Sequence, residues 1–188
     1  MARMGKVIQF EERAVATLRD RLGEAESARA DLAAFARGHS GAVSAIHKAV
    51  IAGLEASDMD ALIGVVTRDW PIVLGLDCVA LALLVGEQGF RIDARGISRC
   101  EPALISRVAG AIGPVAMRGV ERGNPLFGRD AARIGAEALV TVASVAPFPR
   151  GVLLLGQAGT VAEPSDEAGQ LLQFLGCSLG AMLRRWAS

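Results

Sequence analysis

Two apolar runs decide the fold of this 188-residue chain: EALVTVASV at 137–145 and GVLLLGQ at 151–157. The short segment APFPR at 146–150 joins them. Runs of this length and composition are typical of strands buried on both faces. Because so short a connection allows only a hairpin-like return, the two strands should be adjacent and antiparallel.

A polar loop, ERGNPLFG at 121–128, precedes these strands and carries one aromatic residue, Phe127. The Asn124-Pro125 pair predicts a turn that brings Phe127 back toward the sheet as an apolar anchor. Six residues here form the candidate ligand site: Arg118, Glu121, Asn124, Phe127, Arg133 and Glu137. In this interpretation Arg118 and Asn124 donate hydrogen bonds to a small polar ligand, and Arg133 and Glu137 add charged contacts. The alternative is that Phe127 fills the core and the polar residues satisfy the loop backbone.

The rest of the carboxyl-terminal two-thirds alternates between strand and helix patterns. Ser57-Asp58 should cap a helix that ends before Pro71, and Cys177 should lie buried in the last helix. The predicted strands and later helices are a central strand 77–85, an edge-like strand 90–93, a helix 102–112, a short strand 115–118 and a final helix 165–186. Short strand connections and flanking helices predict an α+β domain over 56–188 with a largely antiparallel sheet.

Residues 7–56 have a helical pattern with a seven-residue apolar rhythm. From Leu22 to Val43 the seam keeps its phase across Gly38–Gly41, which predicts a long amino-terminal helix, kinked or continuous, in a segment 1–55. Such a seam needs a partner helix. We therefore expect a homodimer through the amino-terminal helices.

The succession of motifs resembles a GAF-like domain, and within that group domain-of-unknown-function family 484. The resemblance rests on VIQFEER at 7–13, LDCVAL at 76–81, VERGNPLFG at 120–128 and EALV at 137–140. It implies a central antiparallel sheet, an amino-terminal helical segment and helix-mediated dimers, with no established activity. The chain lacks the cysteine and histidine pattern with which some GAF domains hold bilins or metals, so no cofactor and no metal are expected.

The composition argues against several classes of function. Lysine plus arginine and aspartate plus glutamate both number 20, and the arginines between 91 and 133 are dispersed, which argues against nucleic-acid binding. No apolar segment is long enough to span a bilayer, and no signal segment opens the chain, so we expect a cytoplasmic protein.

Few groups are suited to catalysis. The chain has two histidines, no tyrosine and three widely spaced cysteines, and we assign no catalytic residue. Cys100, next to Arg99 and Glu101, is the one conceivable nucleophile. The sequence therefore predicts a non-enzymatic sensory or regulatory module. The two alternatives are a protein–protein adaptor without a small ligand and a cysteine-based redox enzyme.

Overall fold

The computed structural model describes residues 40–142, 150–159 and 165–186, together with positions 19, 21–24, 26, 27 and 29. The chain divides into two compact units, Met1–Ala42 and Val43–Ser188. The described positions of the first unit are helical. Most of the predicted amino-terminal seam, and the predicted strand end 143–145, lie outside the described residues.

The larger unit contains six strands and several helices. In chain order they are α1 (43–54), α2 (Met59–Gly64), a π-helical turn (Val65–Asp69), α3 (Trp70–Leu74), β1 (Cys78–Val85), β2 (Gln88–Asp93), β3 (Gly96–Cys100), α4 (Pro102–Ala111), β4 (Val115–Gly119), a 3-10 segment (Pro125–Arg133), β5 (Ala136–Val142), β6 (Gly151–Gln157) and α5 (Asp166–Trp186). None of the helices among the described residues is long and apolar enough to cross a membrane.

The six strands form one antiparallel sheet in the order β3-β2-β1-β6-β5-β4. The prediction of an α+β fold with an antiparallel sheet is confirmed, as is the pairing of β5 with β6. The edge assignment was wrong. Strand β2 lies inside the sheet because β3, which the sequence analysis did not predict, pairs with its outer side.

The central strands are buried on both faces, so the sheet carries two separate cores. One face packs against α1, α2, α3 and α5, and the other packs against α4 and the 3-10 segment. In β1, Leu81 and Leu83 belong to the first core, whereas Ala80 and Ala82 belong to the second. This is the expected consequence of side chains that alternate along a strand.

The helix that follows Asp58 begins as predicted, because the Asp58 side chain accepts a hydrogen bond from the Ala61 N–H at 2.7 Å. It does not end before Pro71. The helical path continues through the π-helical turn to Leu74, since Pro71 falls in the first turn of α3, where its missing N–H costs little. Trp70 is fully buried at this junction and donates a hydrogen bond to the Ala49 carbonyl of α1 at 2.9 Å.

Helix α5 starts where the sequence places it, with the Ser165 hydroxyl accepting from the Ala168 N–H at 3.2 Å. The helix lies so close to β5 that Gly176 has no room for a side chain. A Cβ at this position would lie 2.5 Å from Val140 Cγ1 and 3.1 Å from the Thr141 carbonyl oxygen.

We predict that Gly176→Ala destabilises the protein by about 1–3 kcal/mol, because the added methyl group forces α5 away from the sheet. The measurement is the free energy of unfolding from urea denaturation. Gly110→Ala is the matched control, since a Cβ there meets nothing within 4 Å and should leave stability equal or raise it by up to about 1 kcal/mol. Equal effects of the two substitutions would contradict the close packing of α5.

Candidate functional site

Residues 120–135 form a compact loop over the second core, hereafter the 120–135 loop. Its ends meet through a hydrogen bond from the Val120 N–H to the Gly135 carbonyl at 2.9 Å. Asn124 caps the 3-10 segment, because its side-chain oxygen accepts from the Leu126 N–H at 3.0 Å. Pro125 follows at the first helical position. The Asn124-Pro125 pair therefore initiates the turn that the sequence predicts.

The underside of this loop is apolar and buried. Leu126, Phe127, Ala131 and Ile134 are all in the second core. Gly156 of β6 lies directly beneath them, and a Cβ there would come within 3 Å of both Ile134 Cδ1 and Phe127 Cε1. Phe127 thus anchors the loop to the sheet, and its side chain is only 1% exposed.

Glu137 joins the base of the loop to the edge of the sheet. Its Oε1 accepts from Arg118 Nε at 2.9 Å and lies 2.8 Å from Arg118 Nη2, while its Oε2 accepts from the Asn124 N–H at 2.6 Å. Arg118 and Glu137 are directly opposite in the β4–β5 register. Both oxygens of a buried carboxylate are therefore occupied, which is the usual requirement for burying such a charge.

The two partners differ greatly in exposure. The Glu137 side chain is 1% exposed and the Arg118 side chain is 55% exposed. Arg118 is therefore oriented from below by a fixed carboxylate while the rest of its guanidinium faces solvent. A planar, oriented guanidinium is a recognition group for carboxylates and phosphates.

The structure thus brings together three of the six predicted site residues: Arg118, Asn124 and Glu137. Phe127 lies below them in the core. Glu121 and Arg133 are exposed, and within the described ranges no hydrogen bond or ion pair joins either of them to the other three.

The tip of the loop makes a second polar contact, with the turn between β2 and β3. Arg95 donates two hydrogen bonds to the Asp130 carboxylate, at 2.7 and 3.0 Å. This hydrogen bonding lowers the pKa of Asp130, against the opposing effect of burial, and the nearby charges of Arg95, Arg133 and Arg91 lower it further. This contact was not predictable from the sequence, because 35 residues separate its partners and no motif links them.

Two of the three cysteines, Cys78 and Cys100, have thiols with a raised pKa. Burial raises the pKa of the Cys78 thiol to about 11, and the charges of Asp130 and Asp77 add to the shift. Burial also raises the pKa of Cys100, although Arg91 opposes the effect. The prediction that Cys177 is buried was wrong: it lies on the exposed side of α5, because Gly176 occupies the position that faces β5.

A family model described as protein of unknown function, DUF484, matches residues 2–188. The chain belongs to the DUF484 family. A search of curated proteins gave no match to this DUF484 chain.

Solved structures similar to this DUF484 protein include GAF domains and chromophore-binding domains. The GAF domain of an Acinetobacter phosphoenolpyruvate-protein phosphotransferase is 11% identical, with a TM-score of 0.52 over 76% of this chain and 92% of that one. A protein in a far-red-absorbing dark state with bound biliverdin is 13% identical, with a TM-score of 0.54 over 77% and 99%. The chromophore-binding domain of a Stigmatella aurantiaca bacteriophytochrome is 15% identical, with a TM-score of 0.55 over 75% and 59%. At these identities the similarity establishes a GAF-like fold for the DUF484 chain.

The arrangement at Glu137 leads to a prediction about stability. Glu137→Gln should destabilise this DUF484 protein by about 1–3 kcal/mol, because one end of the carboxamide can only donate, and both Arg118 and the Asn124 N–H are donors. Chemical denaturation measures the change. Glu121→Gln, in the same loop but exposed, is the control and should stay within about 0.5 kcal/mol of wild type. A neutral Glu137→Gln would mean that the buried carboxylate does not hold the loop.

Proposed function

We propose that this DUF484 protein is a non-enzymatic, GAF-like regulatory module. It binds a small ligand or a protein partner over residues 118–137 and forms a homodimer through its helices. The observation that carries the proposal is the Arg118–Glu137–Asn124 arrangement, in which a buried carboxylate holds an exposed guanidinium beside the base of a compact loop.

A ligand that engages Arg118 would act on the loop through Glu137. Oε1 of the Glu137 carboxylate accepts a hydrogen bond from Arg118, and Oε2 accepts one from the backbone N–H of Asn124. An anionic group that binds Arg118 competes with Oε1 of Glu137. It therefore weakens one of the two contacts that the Glu137 side chain makes. Binding at Arg118 would therefore alter the contact between Glu137 and Asn124 at the base of the loop.

The environment of Cys78 and Cys100 supports a non-enzymatic role. A thiol attacks as its thiolate, and burial disfavours the thiolate of both Cys78 and Cys100. Arg99, which the sequence places beside Cys100, lies on the opposite face of the sheet, because successive residues of β3 alternate. The redox alternative therefore lacks an activated thiol at either position.

The apolar side of the loop favours a small ligand bound at the surface over a large buried one. One of the similar structures holds biliverdin. In the DUF484 protein the side chains of Leu126, Phe127 and Ile134 occupy the space between the loop and the sheet. We therefore place the ligand on the outer, polar side of residues 118–137.

The ligand proposal predicts that at least one compound in a panel of small carboxylates, phosphates and nucleotides raises the melting temperature, since binding to the native state alone stabilises it. Arg118→Lys keeps the positive charge but loses the planar fork, so it should reduce the increase produced by that compound. A tenfold weaker affinity corresponds to about 1.4 kcal/mol less stabilisation at saturating concentrations. Differential scanning fluorimetry is the measurement.

Arg107→Lys is the control for this experiment, because Arg107 is an exposed arginine on α4. It should leave the ligand-induced increase unchanged. A panel without any effect on the wild type would contradict ligand binding and favour the adaptor alternative. For a compound other than inorganic phosphate or acetate, an increase that survives in Arg118→Lys would contradict the placement of the ligand.

The dimer proposal is supported by apolar residues on the outer side of α1. Ile46, Ala49 and Gly53 face the core, whereas Ile51 and Leu54 are each 54% exposed. The end of α5 lies beside them, since Arg185 Nη1 donates to the Leu54 carbonyl at 3.4 Å. Exposed apolar residues on the outer side of this helix are candidates for burial against a second copy.

We predict that the full chain sediments as a dimer at tens of micromolar and that replacing both Ile51 and Leu54 by serine shifts it toward monomer. The reason is the loss of apolar area that only association would bury. Ile72→Ser on α3 is the control, because Ile72 is 82% exposed but lies outside α1. A monomeric wild type would contradict the dimer, and a double variant that stays dimeric would contradict the role of α1.

A further inference from the structure

Arg91 is a second arginine held in a defined environment, at the far end of the 120–135 loop from Arg118. It lies on β2, opposite Ala82 in the register, and therefore points to the face of the sheet that α4 and the loop cover. Its side chain is 23% exposed. The group is thus largely enclosed and still open to solvent at one side.

The hydrogen-bonding capacity of Arg91 is not used by the described residues around it. Its Nε is buried without a hydrogen-bond partner. Asp93 Oδ2 lies 3.4 Å from Nε, an ion-pair distance, but the two atoms do not form a hydrogen bond. Leaving a donor of a charged group unpaired in a buried place is costly, and such groups normally find a protein, water or ligand acceptor.

The loop leaves room for this guanidinium at Gly128, which has no side chain. Gly128 has φ 63° and ψ −121°, a conformation that favours glycine. A Cβ on Gly128 would collide with Nη1 of Arg91. The absence of a side chain therefore lets the loop backbone lie directly against the guanidinium and limits where it can point.

Arg95 engages both aspartates near Arg91. Asp130 is engaged by two hydrogen bonds from Arg95, and Asp93 accepts from the Arg95 N–H at 2.8 Å. Arg133 and Arg91 also act on Asp130 electrostatically. Of these three arginines, Arg91 is the one with an unpaired buried donor.

We infer that Arg91 is the recognition group of an oxyanion site between β2 and the tip of the 120–135 loop, which takes a carboxylate or phosphate group. The oxyanion supplies an acceptor for the guanidinium, which has an unpaired donor among the described residues. Because the Gly128 backbone lies against the guanidinium, we expect the group that enters to be small. This site does not depend on the proposed role of Arg118.

The test compares inorganic phosphate and acetate with sodium chloride at matched ionic strength, so that screening is the same in all samples. The readout is the melting temperature of the full chain. We expect phosphate, acetate or both to raise it in the wild type, and Arg91→Met to abolish that increase. A response to phosphate alone assigns a phosphate site, and a response to both assigns a general oxyanion site.

Arg99→Met is the matched control. Arg99 pairs with Phe90, the residue before Arg91, and points to the opposite face of the sheet. It should keep the full anion response, and so should Arg118→Lys, which separates this site from the one over residues 118–137. A wild type that responds to neither anion, or an Arg91→Met variant that keeps the response, overturns the inference.

A second variant keeps the test decisive if Arg91→Met does not fold. Asp93→Asn removes the carboxylate that competes for Arg91 and retains the oxygen that accepts from the Arg95 N–H. It should lower the anion concentration at half-saturation by about threefold, the size expected for one partly exposed ion pair. An unchanged or higher half-saturation concentration contradicts the site.

Discussion

The structure depends on the burial of the central strands on both faces. Strands β1, β5 and β6 present apolar side chains alternately up and down, so each face needs its own cover. Helices α1, α2, α3 and α5 cover one face, and α4 with the 120–135 loop covers the other. The loop is therefore a structural layer of the domain, and this explains why Phe127 and Leu126 are buried as deeply as the strands beneath them.

This constraint explains which parts of the fold the sequence could predict. The strands at 78–85 and 151–157 are continuous apolar runs, and the caps at Asp58 and Ser165 are local signals, so all four were predictable. Strand β3 was missed because its sequence, GISRC, has an exposed isoleucine and arginine and pairs on one side only. Pro71 suggested a helix end because sequence alone does not reveal the π-helical turn that places it in the first turn of α3.

The candidate site, like the fold, was predictable only where it depends on local sequence. Asn124-Pro125 and Phe127 gave the turn and the anchor, since both depend on neighbours in the chain. The buried contact between Arg118 and Glu137 depends on the β4–β5 register, which brings residues 19 positions apart directly opposite each other. The proximity of Arg91 to Gly128 was not predicted. Their contact requires the loop tip to reach β2 across two intervening strands, a distance that no local pattern encodes.

Strand β5 has a mechanical consequence for the domain. Glu137, near its start, fixes the loop on one side of the sheet, and Val140, three residues later, touches α5 at Gly176 on the other. At Gly176 no side chain of α5 separates the helix backbone from the strand, because glycine lets the two approach closely. A tilt of β5 that begins at Glu137 would therefore also displace the part of α5 that packs against Val140.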